Sequence, residues 1–160
     1  MKTPVIPTPD EVACAYDQKS WLVIEENHYS LCKLHGIENL IPIYSVAFYN
    51  IKSWKGRKSI LFFLLRYARK SERVREIAVR ALSDRAEKVR EGACGILAFS
   101  LESSVIPALE PLTLHASSGT REAAVAAIDA IRNKNHNLFL DREHSGNVLW
   151  QVKPAASKKA

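Results

Sequence analysis

No apolar stretch in this 160-residue sequence is longer than the six residues Ile60 to Leu65, too short to cross a bilayer. Met1 to Pro9, with prolines at 4, 7 and 9, does not supply the apolar centre of a secretion signal. A cytoplasmic address is therefore expected, with no membrane partner. Cysteine is scarce: Cys14, Cys32 and Cys94 form no Cys-x-x-Cys pair, which argues against a disulfide framework or zinc cluster and implies buried free thiols. The five histidines, at 28, 35, 115, 136 and 144, fall in no metal-ligand spacing, and there is no serine elbow, phosphate loop or paired-carboxylate motif. Neither an enzyme nor a cofactor or resident metal is expected.

The composition is that of an ordinary soluble globular chain, 47% hydrophobic and 25% charged, and its length suits a single domain with one core. The net charge of +6 is concentrated. Residues 55–80 hold 9 basic and 2 acidic side chains, the last ten residues hold three lysines, and the remainder is balanced or slightly acidic. A charge block of this kind is a candidate contact surface.

Residues 1–56 read as an N-terminal helical cap. Thr8-Pro9-Asp10-Glu11 combines an N-cap, a proline in the first turn and an acidic N3 residue, predicting a helix to about Gln18. Trp21, Ile24, His28, Leu31 and Cys32 keep helical spacing from Ser20 to His35, with Gly36 as the stop. A third helix is expected from Pro42 to Ser53, burying Ile43, Val46, Ala47 and Phe48.

Residues 57–134 contain an internal repeat, visible when the chain is shifted by 31 positions against itself. Val89-Arg90-Glu91-Gly92-Ala93 lies over Thr120-Arg121-Glu122-Ala123-Ala124, with apolar residues following in both. Val74-Arg75-Glu76-Ile77-Ala78 carries the same pattern. Alanines 78, 93 and 124 let neighbouring helices approach closely. Between the two best copies, Ser104 to Leu112 forms a shorter second helix. An earlier pair, Ser59 to Arg69 and Glu72 to Ser83, matches in layout more than in letters.

Asp84 to Leu97, Ile106 to Leu112 and Thr120 to Ile131 resemble the HEAT-like repeat family, especially its short bacterial, PBS-lyase-type form. That resemblance implies an all-α fold of the α-solenoid kind, built from helical hairpins, and leaves function open. Residues 135–152 change character: Leu138-Phe139-Leu140 and Val148 to Val152 favour β structure, predicting a small C-terminal β-hairpin that closes the stack. Asp141, Glu143, Ser145 and Gly146 resemble the start of a calcium loop, but Val152 stands where its last carboxylate belongs, so a hairpin turn is preferred. Residues 153–160 read as a disordered basic tail.

The expected site is the basic block. Arg66, Arg69, Lys70 and Arg73 follow i, i+3, i+4, i+7 spacing and form one stripe if the helix persists, with Tyr67 interleaved and Arg75 and Arg80 continuing onto the next helix. Glu72 and Glu76 can neutralise part of it. Such a stripe suits an acidic protein patch or the phosphates of a nucleic acid, and arginine with tyrosine favours protein. HEAT-like DNA glycosylases share only the repeat type, since their aromatic and acidic pocket has no counterpart here. The assembly, including the ending from Asn135 to Trp150, is similar to small bacterial immunity proteins, such as those of contact-dependent inhibition. The resemblance implies a non-catalytic module that binds a cognate toxin domain and occludes its active or substrate site.

Overall fold

A computed structural model describes residues 5–156. Among these residues the regular structure is entirely helical, with eight α-helices and several short 3-10 turns. The described residues fall in two compact units, divided between Phe62 and Phe63. No helix among the described residues is long and apolar enough to cross a membrane.

The first unit holds α1 (Pro9–Tyr16), α2 (Trp21–His35), α3 (Ile37–Asn50) and most of α4 (Trp54–Leu64). Helix α1 starts on the capping box that its sequence encodes: the Thr8 hydroxyl accepts the Glu11 N–H at 3.3 Å, and the Glu11 carboxylate accepts the Thr8 N–H at 2.7 Å. Gly36, at φ +76°, both ends α2 and opens α3. Helix α3 thus begins five residues before the expected start, and Pro42 lies inside it. Its buried face is Leu40, Ile41, Tyr44, Ala47 and Phe48, whereas Val46 is exposed. The proline is tolerated because it sits on the exposed side of the helix.

A buried polar cluster joins these helices. The Tyr16 hydroxyl lies 2.7 Å from His28 Nδ1 and 2.9 Å from the Tyr44 hydroxyl, with the Cys32 thiol 3.6 Å from His28 Nε2. Burial lowers the His28 pKa to about 4 and raises those of the Tyr16 hydroxyl and the Cys32 thiol. The ring is thereby held neutral, which lets it join the hydroxyl network without the cost of a buried charge. Gly56 allows α4 to meet the end of α1: a Cβ there would strike the Tyr16 carbonyl oxygen and come within 2.8 Å of Ile51 Cγ2.

In the second unit, α5 (Glu72–Ala81) packs on α6 (Glu87–Ser100), which packs on α8 (Ser118–Arg132); the short α7 (Ile106–Leu109) lies between two 3-10 turns. Ala78, Ala93 and Ala124 are all buried, as close helix approach requires. One arrangement recurs through the chain. Arg90 Nη1 donates to the Asp84 and Arg85 carbonyls at 2.7 and 3.0 Å. Arg121 Nη1 does the same to His115 and Ala116 at 2.7 and 2.9 Å, and Arg75 Nη1 to Ala68 and Arg69 at 2.7 and 3.2 Å. In the first unit, Arg57 Nη1 binds the Ile51 and Lys52 carbonyls at 2.9 and 2.8 Å. Each arginine, near the start of its helix, ties down two carbonyls of the turn that leads into it. This is the physical content of the repeated Arg in the nonapeptides.

Among the described residues the expected C-terminal β-hairpin does not form, and the expectation of a solenoid closed by one is corrected to an all-helical fold. No strand occurs among the described residues. Leu138 and Phe139 fall in a 3-10 turn, His136–Phe139, capped by Asn135, whose side chain accepts the Asn137 N–H at 3.1 Å. Their apolar groups are already used by helices: Leu138 is buried, and the Phe139 ring lies against Gly95, 3.3 Å from where a Cβ would stand. A short apolar run does not distinguish a strand from such a turn. The following loop closes on the Asp141 carboxylate, which accepts from Ser145 N, Ser145 Oγ and Gly146 N at 2.7 to 2.9 Å. These bonds lower the Asp141 pKa and give its oxygens a turn-closing role. Residues 148–156 have no regular structure, and Leu149 is fully exposed. Of the basic tail, residues 157–160 lie outside the described residues, while the Ala155 N–H donates to the Arg66 carbonyl at 2.8 Å. Among the cysteines only Cys94 is buried; Cys32 is half-buried and Cys14 exposed, which corrects the expectation of three buried thiols.

Candidate partner-binding surface

The basic block sits in the second unit, and its shape depends on where α4 ends. The helix stops at Leu64, passes into a 3-10 turn at Leu65–Tyr67, and a new helix begins at Glu72 on the Ser71 cap, whose hydroxyl accepts the Val74 N–H at 3.3 Å. The helix on which a single i, i+3, i+4, i+7 stripe depends therefore does not persist from Arg66 to Arg73.

The seven side chains are instead sorted into three settings. Arg66, Tyr67 and Lys70 form a cluster at the turn: the Arg66 guanidinium lies 5.9 Å and the Lys70 ammonium 5.6 Å from the centre of the Tyr67 ring. Both distances are within cation–π range. The Lys70 ammonium also reaches the Ala156 carbonyl at 3.4 Å, so the C-terminal segment is tied to this turn at both Arg66 and Lys70.

Arg69 and Arg75 have structural work. Arg69 donates from Nε to the Phe99 carbonyl at 3.0 Å and from Nη2 to His136 Nδ1 at 2.8 Å, and lies 4.9 Å from the Phe99 ring. Because the guanidinium is always a donor, His136 accepts through Nδ1 and carries its own proton on Nε2. Burial first, and the adjacent Arg69 charge second, lower the His136 pKa. Arg75 is one of the four arginines that clamp a turn.

Arg73 and Arg80 lie on the outward face of α5 together with Glu76, at i, i+7 and i+3. Arg80 also borders an open groove of about 440 Å³ formed with Glu72, Arg75, Glu76, Val79 and Glu102, where the charges are mixed. The outward positive charge is thus strongest at Arg66, Lys70 and Arg73 and is offset by carboxylates toward Arg80. Reading along the sequence missed the clamping role of Arg75. The recurrence of an arginine at 57, 75, 90 and 121, each just inside a helix start, was the signal for it.

Comparison of the chain with protein-family models, with curated proteins and with solved structures finds no match. The functional reading therefore stands on the chain's own geometry.

Proposed function

We propose that this chain is a non-catalytic protein-binding module of HEAT-like type. Its most specific form is a cytoplasmic immunity protein that binds a bacterial toxin domain and occludes its active or substrate site. The observation that carries the reading is the cluster at the end of α4, where Tyr67 holds two cations on its ring and Arg66 and Lys70 are exposed. Tyrosine and arginine dominate interface hot spots because they add large contact area and directed donors at small entropic cost. An acidic patch facing this cluster would neutralise Arg66, Lys70 and Arg73 while Tyr67 supplies contact area. The HEAT-like assignment is supported by the clamping arginines of the repeated nonapeptides, which give sequence similarity at 75, 90 and 121 a common structural job.

The direct test is co-purification with the product of an adjacent gene, followed by the triple variant Arg66→Glu, Lys70→Glu, Arg73→Glu. Loss of about 2 kcal/mol or more of binding, roughly thirtyfold in Kd, is expected with helicity unchanged. An unchanged Kd would remove this surface from the contact.

Nucleic acid is the second reading, because the segment bearing Lys153 is anchored at Arg66 through Ala155 and adds positive charge beside the cluster. It requires binding to duplex or single-stranded oligonucleotides that weakens steeply with salt. Absence of binding at low salt would end that reading.

A further inference from the structure

The first unit carries an aromatic and cationic cluster that the basic block does not include. Trp21 opens α2 and Trp54 opens α4, and their rings meet edge to face at 5.8 Å and 77°. Both are well exposed, at 44% and 39%. Tryptophan at such exposure leaves a large apolar area in water that folding could have covered.

The place is built. The Asp17 carboxylate accepts the Ser53 N–H at 2.7 Å, and the Lys55 ammonium donates to the Lys19 carbonyl at 3.1 Å, so two contacts join the loop before α2 to the start of α4. Lys58 follows Trp54 at i+4, one turn along the same face. The Lys55 and Lys58 ammoniums lie 5.7 and 6.0 Å from the Trp21 ring centre. Neither meets a carboxylate among the described residues. The nearby acidic groups in sequence are Asp17, engaged at Ser53, and Glu25, one turn beyond Trp21 on α2. Two cations held over an exposed tryptophan therefore lack the anionic partner that a merely solvated face supplies for itself.

We infer that Trp21, Trp54, Lys55 and Lys58 form a docking surface for an acidic protein segment, one that places carboxylates on the two ammoniums and an apolar side chain against the tryptophan pair. Charge complementarity selects the sign of the partner. Ring geometry bears on its class: Trp21 and Trp54 stand at 77° to one another with two ammoniums over Trp21, so the pair offers no common flat platform on which successive bases would stack. Restraint of the ammoniums on the ring reduces the ordering cost of meeting carboxylates. This inference does not rest on the Arg66 to Arg80 segment or on the immunity reading.

The test uses the full chain with Trp150→Phe, so that emission comes from Trp21 and Trp54. The probes are a synthetic peptide of alternating Asp or Glu and Leu or Phe, its lysine-substituted counterpart, a thymidine oligonucleotide, and phosphatidylserine-containing vesicles. Saturable change of emission with the acidic peptide is expected. Lys55→Glu with Lys58→Glu should weaken it at least about tenfold and create affinity for the lysine peptide, as reversal of two paired charges does. Both lysines are half-buried and Lys55 also holds the Lys19 carbonyl, so helicity is checked in the double variant, and Lys58→Glu alone, which keeps that contact, should also weaken binding. Arg66→Glu with Arg73→Glu should leave the midpoint of the Trp21 and Trp54 emission change where it is. Tighter binding of the oligonucleotide or the vesicles, no response to the acidic peptide, or equal effects of both charge reversals would overturn the inference.

Discussion

Acidification should destabilise the first unit through His28. The ring is 7% exposed, bonded to Tyr16, and has its pKa lowered from 6.5 to about 4 by burial. Protonation therefore favours the unfolded chain. The stability this neutral ring contributes is fully present above pH 6.5 and is lost as pH falls toward 4. At pH 5 nearly all unfolded chains, but only about one in ten folded ones, carry the proton, so stability falls by roughly 1.2 kcal/mol per pH unit there. Between pH 7 and 5 the cumulative loss is about 2 kcal/mol. Urea unfolding at pH 7, 6 and 5 would measure it in the Trp150→Phe background, since Trp21 and Trp54 lie in the same unit as His28. His28→Gln should flatten that dependence, although it lowers stability at pH 7. Parallel pH profiles for the two proteins, or an NMR titration of His28 centred near 6.5, would refute the reasoning.

Gly56→Ala should cost about 2 kcal/mol or more of stability, read from the urea midpoint, because the obstacles include the Tyr16 backbone and cannot yield as a side chain would. Arg90→Ala should be among the most damaging of the clamp substitutions, about 2–4 kcal/mol by thermal or urea unfolding: Arg90 is buried and also donates to the Thr120 hydroxyl at 2.9 Å, so three acceptors lose their partner. Arg121→Ala, half-buried and bonded to two carbonyls, should cost less, about 1 kcal/mol. Lys134→Gly should stabilise by about 0.5–1 kcal/mol, since Lys134 holds φ +50° just beyond α8 and is exposed; an unchanged or lower midpoint would refute it.

Where local chemistry decides the outcome, the sequence was readable. The Thr8 to Glu11 capping box and the Gly36 stop need only neighbouring residues, and both appear where the spacing places them. Pro42 misled because a proline in the first turn is common, yet the glycine ahead of it was the stronger start. The break after Leu64 was harder: Arg66-Tyr67-Ala68-Arg69-Lys70 contains no helix breaker, and only the Ser71 cap announces the next helix. Leu138 and Phe139 were read as a strand because their burial by helices depends on distant residues such as Gly95. The same limit hides the tryptophan cluster, whose two rings come from different helices and share no spacing. Arg66 and Lys70 were found by charge alone, but their arrangement around Tyr67 comes from the turn, which a continuous helical stripe does not contain.

The four arginine clamps bear on how such a chain can change. Each guanidinium reads main-chain oxygens, which every residue possesses, so a turn can exchange its side chains freely while keeping its shape. Ile51, Ala68, Asp84 and His115 occupy corresponding clamped positions with little in common. Selection on the fold then falls on one arginine per turn and on the small residues behind it, and the intervening letters are released to drift. Copies of such a unit lose their resemblance in sequence long before they lose it in structure.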